Sequence, residues 1–255
     1  MDNGFEVIGS GPQHVIVLHG WFGDHSIWSP TYALLDRERF TYAFLDYRGY
    51  GASRALAGTY TMAEIAADAA ALAARLGWDR YAVVGHSMGG MAAQRLAVDA
   101  PAQVQALVCV TPVPASGVKL PPEVAALFAA AVSDDAAALG VIEASLGGRL
   151  TPALSAHVLA LQRRSASPEA FSGYLRAFTQ SDFSSEAKAL RTPLLVLVGE
   201  HDGGVSAEFV QATFPVLYPH AVLASLPNAG HYPMVETPAY LVTVIERFLR
   251  QAVAG

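Results

Sequence analysis

Only one cysteine, Cys109, occurs in the sequence. A lone thiol rules out an intramolecular disulfide and favours a reducing compartment, so the expected location is cytoplasmic. Charge is scarce: Asp, Glu, Lys and Arg together reach 15%, and the formal net charge is −6. No basic cluster breaks that acidic balance, so nucleic acid is not an expected partner. Long apolar runs are missing too; "LLVLV" and "ALVCV" each stop after five residues, far short of a bilayer crossing. No membrane span is expected. The opening "MDNGFEVIGSG" has no basic segment leading into an apolar core, so no signal peptide is expected. Metal-ligand spacing such as H-E-x-x-H is absent around His14, His25, His157, His201 and His220, and no metal is assigned.

What the chain has is hydrophobic residues, 53% of 255. That composition argues against disorder and suits one domain with a large core, or one domain carrying an insertion. Short β-branched runs alternate with helical patterns, which predicts a mostly parallel sheet flanked by helices. The expected strands are 14–20, 41–47, 81–87, 104–111, 193–200 and 221–227. Their near-continuous hydrophobicity fits strands covered on both faces. A helix is predicted at "TMAEIAADAAALAARLG", with Thr61 and Glu64 at capping-box spacing and Gly77 as its stop. A last helix is predicted from Thr237-Pro238 onward. Residues 113–185 break the rhythm with helical fragments alone, "PPEVAALFAAAVSDDAAAL", "TPALSAHVLALQRR" and "SPEAFSGYLRAF". The α/β fold is therefore divided into a core of residues 1–112 and 186–255 and an inserted helical cap, or lid, of 113–185. A structureless loop of that length is rare in a compact domain.

The stretch "VVGHSMGGM" puts a serine where a strand gives way to a helix, with Gly85 and Gly89 two residues either side of Ser87. G-x-S-x-G in this setting is the nucleophile-elbow pattern, whose glycines permit a turn too sharp for larger residues. A serine hydroxyl is a weak nucleophile and needs a base, itself oriented by an acid. "VLVGEHD" ends a strand at Asp202, and "NAGHYPMVETP" puts His231 in the loop after the next strand. Both fall at the carboxyl ends of strands, where open α/β sheets build sites. Glu200 is the competing acid.

Five stretches in order carry a resemblance: "LHGWFGDHSIW" (18–28), "LDYRGYGAS" (45–53), "GHSMGG" (85–90), "GEHD" (199–202) and "GHYPMVETP" (230–238). The chain resembles the α/β-hydrolases over nearly its whole length, in the capped, esterase-like group. That resemblance implies Ser87 as nucleophile, His231 as general base and then acid, and Asp202 as the orienting carboxylate. It also implies an oxyanion hole from the backbone N–H groups of Trp21 and Met88, no cofactor, and a small-molecule substrate. His19 and His86 are expected to brace loops, and Asp46 and Arg48 to fix the turn after their strand. Trp21, Phe22, Met88 and Tyr232 adjoin these positions and are expected to line the pocket. The expected activity is hydrolysis of small, largely apolar carboxylic esters through an acyl-enzyme. Lactonase, thioesterase, carbon–carbon hydrolase and perhydrolase activities use the same triad and stay open. Epoxide hydrolases and haloalkane dehalogenases resemble the scaffold but carry Asp where this chain has Ser87. A ligand sensor on this scaffold usually lacks a triad residue, and here all three are present. Relatives often begin with a full hairpin, where this chain has only "FEVIG" before its first central strand.

Overall fold

The computed structural model describes residues 2–252. In chain order it runs β1 (Phe5–Gly9), β2 (Gln13–Leu18), 3-10 turns over His25–Leu34, β3 (Phe40–Leu45), a 3-10 turn at Gly51–Ser53, α1 (Met62–Arg75), β4 (Tyr81–His86), α2 (Met88–Asp99) and β5 (Val104–Val110). Then come α3 (Pro122–Ala130), α4 (Asp135–Ser145), α5 (Pro152–Ser165), α6 (Pro168–Gln180) and α7 (Ser184–Ala187). The chain ends with β6 (Leu194–Gly199), α8 (Ala207–Leu217), β7 (Val222–Leu226), α9 (Pro233–Glu236) and α10 (Pro238–Ala252).

The strands form one seven-stranded sheet in the order β1-β3-β2-β4-β5-β6-β7. All neighbours are parallel except β1, which pairs antiparallel with β3, Phe5 opposite Leu45. The segment "FEVIG" is thus a true edge strand, mostly half-buried, and its five residues, with Glu6 and Gly9 among them, are too few for an apolar pattern to stand out. β4 is buried at every position and β6 likewise, as strands covered on both faces must be. Ala92, Ala93 and Ala97 on the buried face of α2 let that helix lie close to the sheet. Cys109 is fully buried in β5, and burial pushes its thiol pKa well up, so it is an inert core residue.

Two local expectations change. Thr61 caps α1 by accepting from the Glu64 N–H at 3.1 Å, but the Glu64 carboxylate takes the N–H groups of Thr59 and Tyr60, each at 2.9 Å, instead of completing a capping box. Tyr60, at φ 55°, turns those two donors toward it. Asp46 fixes its turn by accepting from Ala52 N–H at 2.8 Å, whereas Arg48 reaches Asp68 on α1 at 2.9 Å.

Between β5 and β6 lie α3 to α7 and no strand. The fragment "PPEVAALFAAAVSDDAAAL" is two helices, because the Asp134 side chain accepts from Ala136 N–H at 2.8 Å and starts α4 afresh. Among the described residues, no helix is long and apolar enough to cross a membrane.

Candidate active site

Ser87 leaves β4 and opens α2 with φ 55° and ψ −118°, a conformation that L-residues adopt only when the surroundings enforce it. The surroundings do so. A Cβ at Gly85 would run into the carbonyl of Gly89, and one at Gly89 into the carbonyl of His19. The two glycines let β2, β4 and α2 close on the corner, which lifts the serine side chain clear of the sheet.

His231 and Asp202 arrive from the ends of β7 and β6. Asp202 Oδ2 accepts from His231 Nδ1 at 2.7 Å, and His231 Nε2 meets Ser87 Oγ at 2.9 Å. An ionised carboxylate only accepts, so the imidazole proton belongs on Nδ1 and Nε2 is left to receive the hydroxyl hydrogen. Asp202 Oδ1 accepts the N–H groups of Gly204 and Val205, both at 2.8 Å, and its side chain is 0% exposed. Every carboxylate oxygen is therefore occupied, and the Asp202 orientation is fixed. Glu200 takes no part in this chain; it is half exposed and accepts from Asn228 N–H at 2.9 Å.

The two bracing histidines have definite tasks. His86, kept neutral because burial pushes its pKa well below the usual value, donates Nε2–H to the His231 carbonyl at 2.7 Å. Thr111 Oγ1 donates to the same carbonyl at 3.2 Å. Burial likewise lowers the His19 pKa, and its ring stacks on Tyr47 with centroids 3.9 Å apart.

The loop that follows β2 is tied down from both sides. Tyr47 donates its hydroxyl to the His19 carbonyl at 2.8 Å, and Tyr50 donates to the Trp21 carbonyl at 2.9 Å. The Trp21 indole donates to the Phe171 carbonyl of α6 at 2.8 Å and stacks on the Phe171 ring, centroids 4.0 Å apart. Among the described residues, neither the Trp21 N–H nor the Met88 N–H donates to a protein acceptor. Met88 is the first residue of α2, where a helix leaves its N–H groups free and carries a partial positive charge.

Above Ser87 lies a largely apolar cavity. Trp21, Phe22 and Tyr232 line it, and Met88 does not. The Met88 side chain is fully buried in the core. Sequence reading missed Val118, Phe128, Val141, Phe178, Val205 and Phe209 in the cavity lining. It also missed Ser145, whose carbonyl at the end of α4 accepts from His231 N–H at 3.0 Å. These residues carry no local pattern; only the Asx-type turn in "HDGGV", which orients Asp202, has a visible signal. No Asp, Glu, Lys or Arg lines the cavity.

One trio of potential metal-ligand atoms occurs among the described residues, on Asp24, His25 and Asp46. It does not fit a metal: Asp46 already accepts from His25 N–H and His25 Nδ1, and Asp24 from Ser26.

Residues 13–238 match the family described as alpha/beta hydrolase fold. The chain is 28% identical over 247 residues to a pimeloyl-[acyl-carrier protein] methyl ester esterase of Salmonella heidelberg, covering 92% of this chain and 93% of that protein. A thermophilic esterase of Thermogutta terrifontis superposes with a TM-score of 0.84 at 25% identity, over 98% of this chain and 93% of the other. The enol-lactonase of Burkholderia xenovorans LB400 shares the fold, with a TM-score of 0.84 at 22% identity over 97% and 96% of the two chains. With the serine on its strand-to-helix corner and the family match spanning nearly the whole sheet, the chain belongs to the alpha/beta hydrolase fold family.

Proposed function

We propose that this protein is a serine hydrolase of carboxylic esters whose substrates are small, neutral and largely apolar. The observation that carries this reading is the unbroken path Ser87 Oγ–His231 Nε2, His231 Nδ1–Asp202 Oδ2 beneath a cavity lined by no charged residue. The Salmonella heidelberg relative is a methyl ester esterase, and the carboxylic-ester bond is the part of its name carried over here.

In this reading His231 takes the Ser87 proton as Oγ attacks the ester carbonyl. The N–H groups of Trp21 and Met88 receive the oxyanion, each such donor typically contributing about 3–4 kcal/mol to the transition state. Collapse of the tetrahedral intermediate expels the alcohol, which leaves with the proton from His231. Water then attacks the acyl-enzyme with His231 again as base, and the acid is released. Asp202 holds the imidazole in the required tautomer and stabilises its protonated form. No step draws on a cofactor. Residues 113–185 act as a cap over the core of 1–112 and 186–255, and supply much of the cavity wall. The single buried thiol supports a cytoplasmic location.

A fluorophosphonate should label Ser87 once and abolish turnover of p-nitrophenyl butanoate, and Ser87→Ala should be inert to both. Labelling at another residue, or full activity after complete labelling, would remove Ser87 from the mechanism. A single turnover ending in a stable acyl-enzyme would favour the sensor over the enzyme.

A further inference from the structure

Glu236 has no part in the reaction above, yet its side chain is only 1% exposed. Its Oε2 accepts from Gly230 N–H at 2.7 Å, and its Oε1 accepts from Tyr232 N–H at 2.9 Å. The carboxylate thus bridges the two residues on either side of His231. The short helix α9 makes this possible by bringing its last residue back beneath the loop that precedes it. The balancing charge comes from the inserted segment. Arg149, between α4 and α5, pairs through Nη2 with Glu236 Oε2 and donates to the Asn228 carbonyl at 2.8 Å. A buried carboxylate is tolerated only when paired and hydrogen-bonded, and Glu236 meets both conditions. Glutamine cannot replace it, since an amide has one acceptor oxygen and this site requires two.

We propose that Glu236 is a positioning residue for His231, and that Arg149 makes this positioning depend on the inserted segment. The inference rests on His231 acting as the base. His231 must reach Asp202 and Ser87 at once, at 2.7 and 2.9 Å, and only a fixed backbone keeps both distances short. The backbone is held on both sides by one carboxylate, at its carbonyl by His86 and Thr111, and at its own N–H by Ser145. Glu236 is the one group among these that couples both flanking residues to a charge on the inserted segment.

The test compares wild type, Glu236→Gln, Arg149→Met, the double variant and His231→Ala. Steady-state kinetics on p-nitrophenyl butanoate, fluorophosphonate inactivation rates and urea unfolding are measured for each. Both single variants should lose roughly 10- to 100-fold in kcat and in inactivation rate with KM unchanged, the scale of loss for a misplaced catalytic group. The double variant should be little worse than the poorer single one, because the two residues act through one contact. The proposal is overturned if Glu236→Gln and Arg149→Met keep wild-type kcat, or if their losses vanish once rates are corrected for the folded fraction. Arg149→Met keeps the test decisive should Glu236→Gln unfold. An active His231→Ala would sink the hydrolase reading itself, whereas an inactive His231→Ala beside an unimpaired Glu236→Gln would sink only this inference.

Discussion

Ser87 sits at φ 55° without being a glycine, and its strain is held by the contacts of Gly85 and Gly89. Such a conformation costs on the order of 1–3 kcal/mol, which the rest of the fold must offset. Ser87→Gly should therefore melt higher than Ser87→Ala, both being inactive; calorimetry showing the reverse order would mean the corner is unstrained. Asp202→Asn should lower kcat by about 10⁴-fold, the scale seen when a triad acid is replaced by an amide in a serine protease. Glu200→Gln, half exposed and off the path, should leave kcat unchanged, and a crippled Glu200 variant would reassign the acid. Ser87, Asp202 and His231 are readable because each sits in a short stretch with its own spacing and turn chemistry. Tyr50, Ser145 and Phe171 are not, since they meet the loops through chance of fold and not through pattern. The Met88 side chain is not readable as a pocket residue, because it follows the helix into the core.

At the scale of elements, period decides what can be read. The six parallel strands appear in the sequence within a residue or two because their apolar runs are continuous. β1 escapes because Glu6 and Gly9 leave it too few apolar residues in sequence, whereas β7, the other edge strand, keeps Val222, Leu223, Ala224 and Leu226. The break between α3 and α4 escapes because alanine favours helix on both sides of Asp134, and only the cap marks the restart. One inter-element contact makes a pH prediction. His25, at the start of the 3-10 turns, bonds through Nδ1 to Asp46 after β3 at 2.8 Å. That hydrogen bond raises the His25 pKa against burial, with the charges of Asp46, Asp24 and Glu6 adding to it. Burial pushes Asp46 up, but the His25 hydrogen bond and the charges of His19 and His25 outweigh it and hold Asp46 below its usual range. The His25 contribution is complete below the unfolded histidine value of about 6.5 and fades as pH rises through the higher folded value. The Asp46 contribution is complete above the unfolded value of about 3.9 and fades as pH falls through the lower folded one. The pair therefore stabilises most between about pH 4 and pH 6.5. His25→Gln should cost more unfolding free energy at about pH 5.5 than at about pH 8.5 by urea titration, and an equal cost at both would refute the link.

For the whole molecule, the proposed function makes the cavity the determinant of substrate. Its walls are largely aromatic and aliphatic, as small-ligand sites commonly are. Each methylene buried there contributes about 0.8 kcal/mol, close to fourfold in kcat/KM when fully realised in the transition state. p-Nitrophenyl butanoate or hexanoate should therefore be preferred to the acetate, with the trend reversing once the chain outgrows the cavity. An ester ending in a free carboxylate should fall below its neutral isostere of equal length, because nothing in the lining pairs with the charge. Equal rates for that pair would show that the acyl end stays in water. The indole of Trp21 ties this cavity to time as well as to size. Its hydrogen bond to Phe171 joins the loop bearing one of the two proposed oxyanion donors to α6. A product that escapes by pushing α6 outward must break that bond, and the same displacement loosens the donor. On the proposed mechanism an open molecule is then an unready one, and the next cycle should wait until α6 has settled back onto the indole.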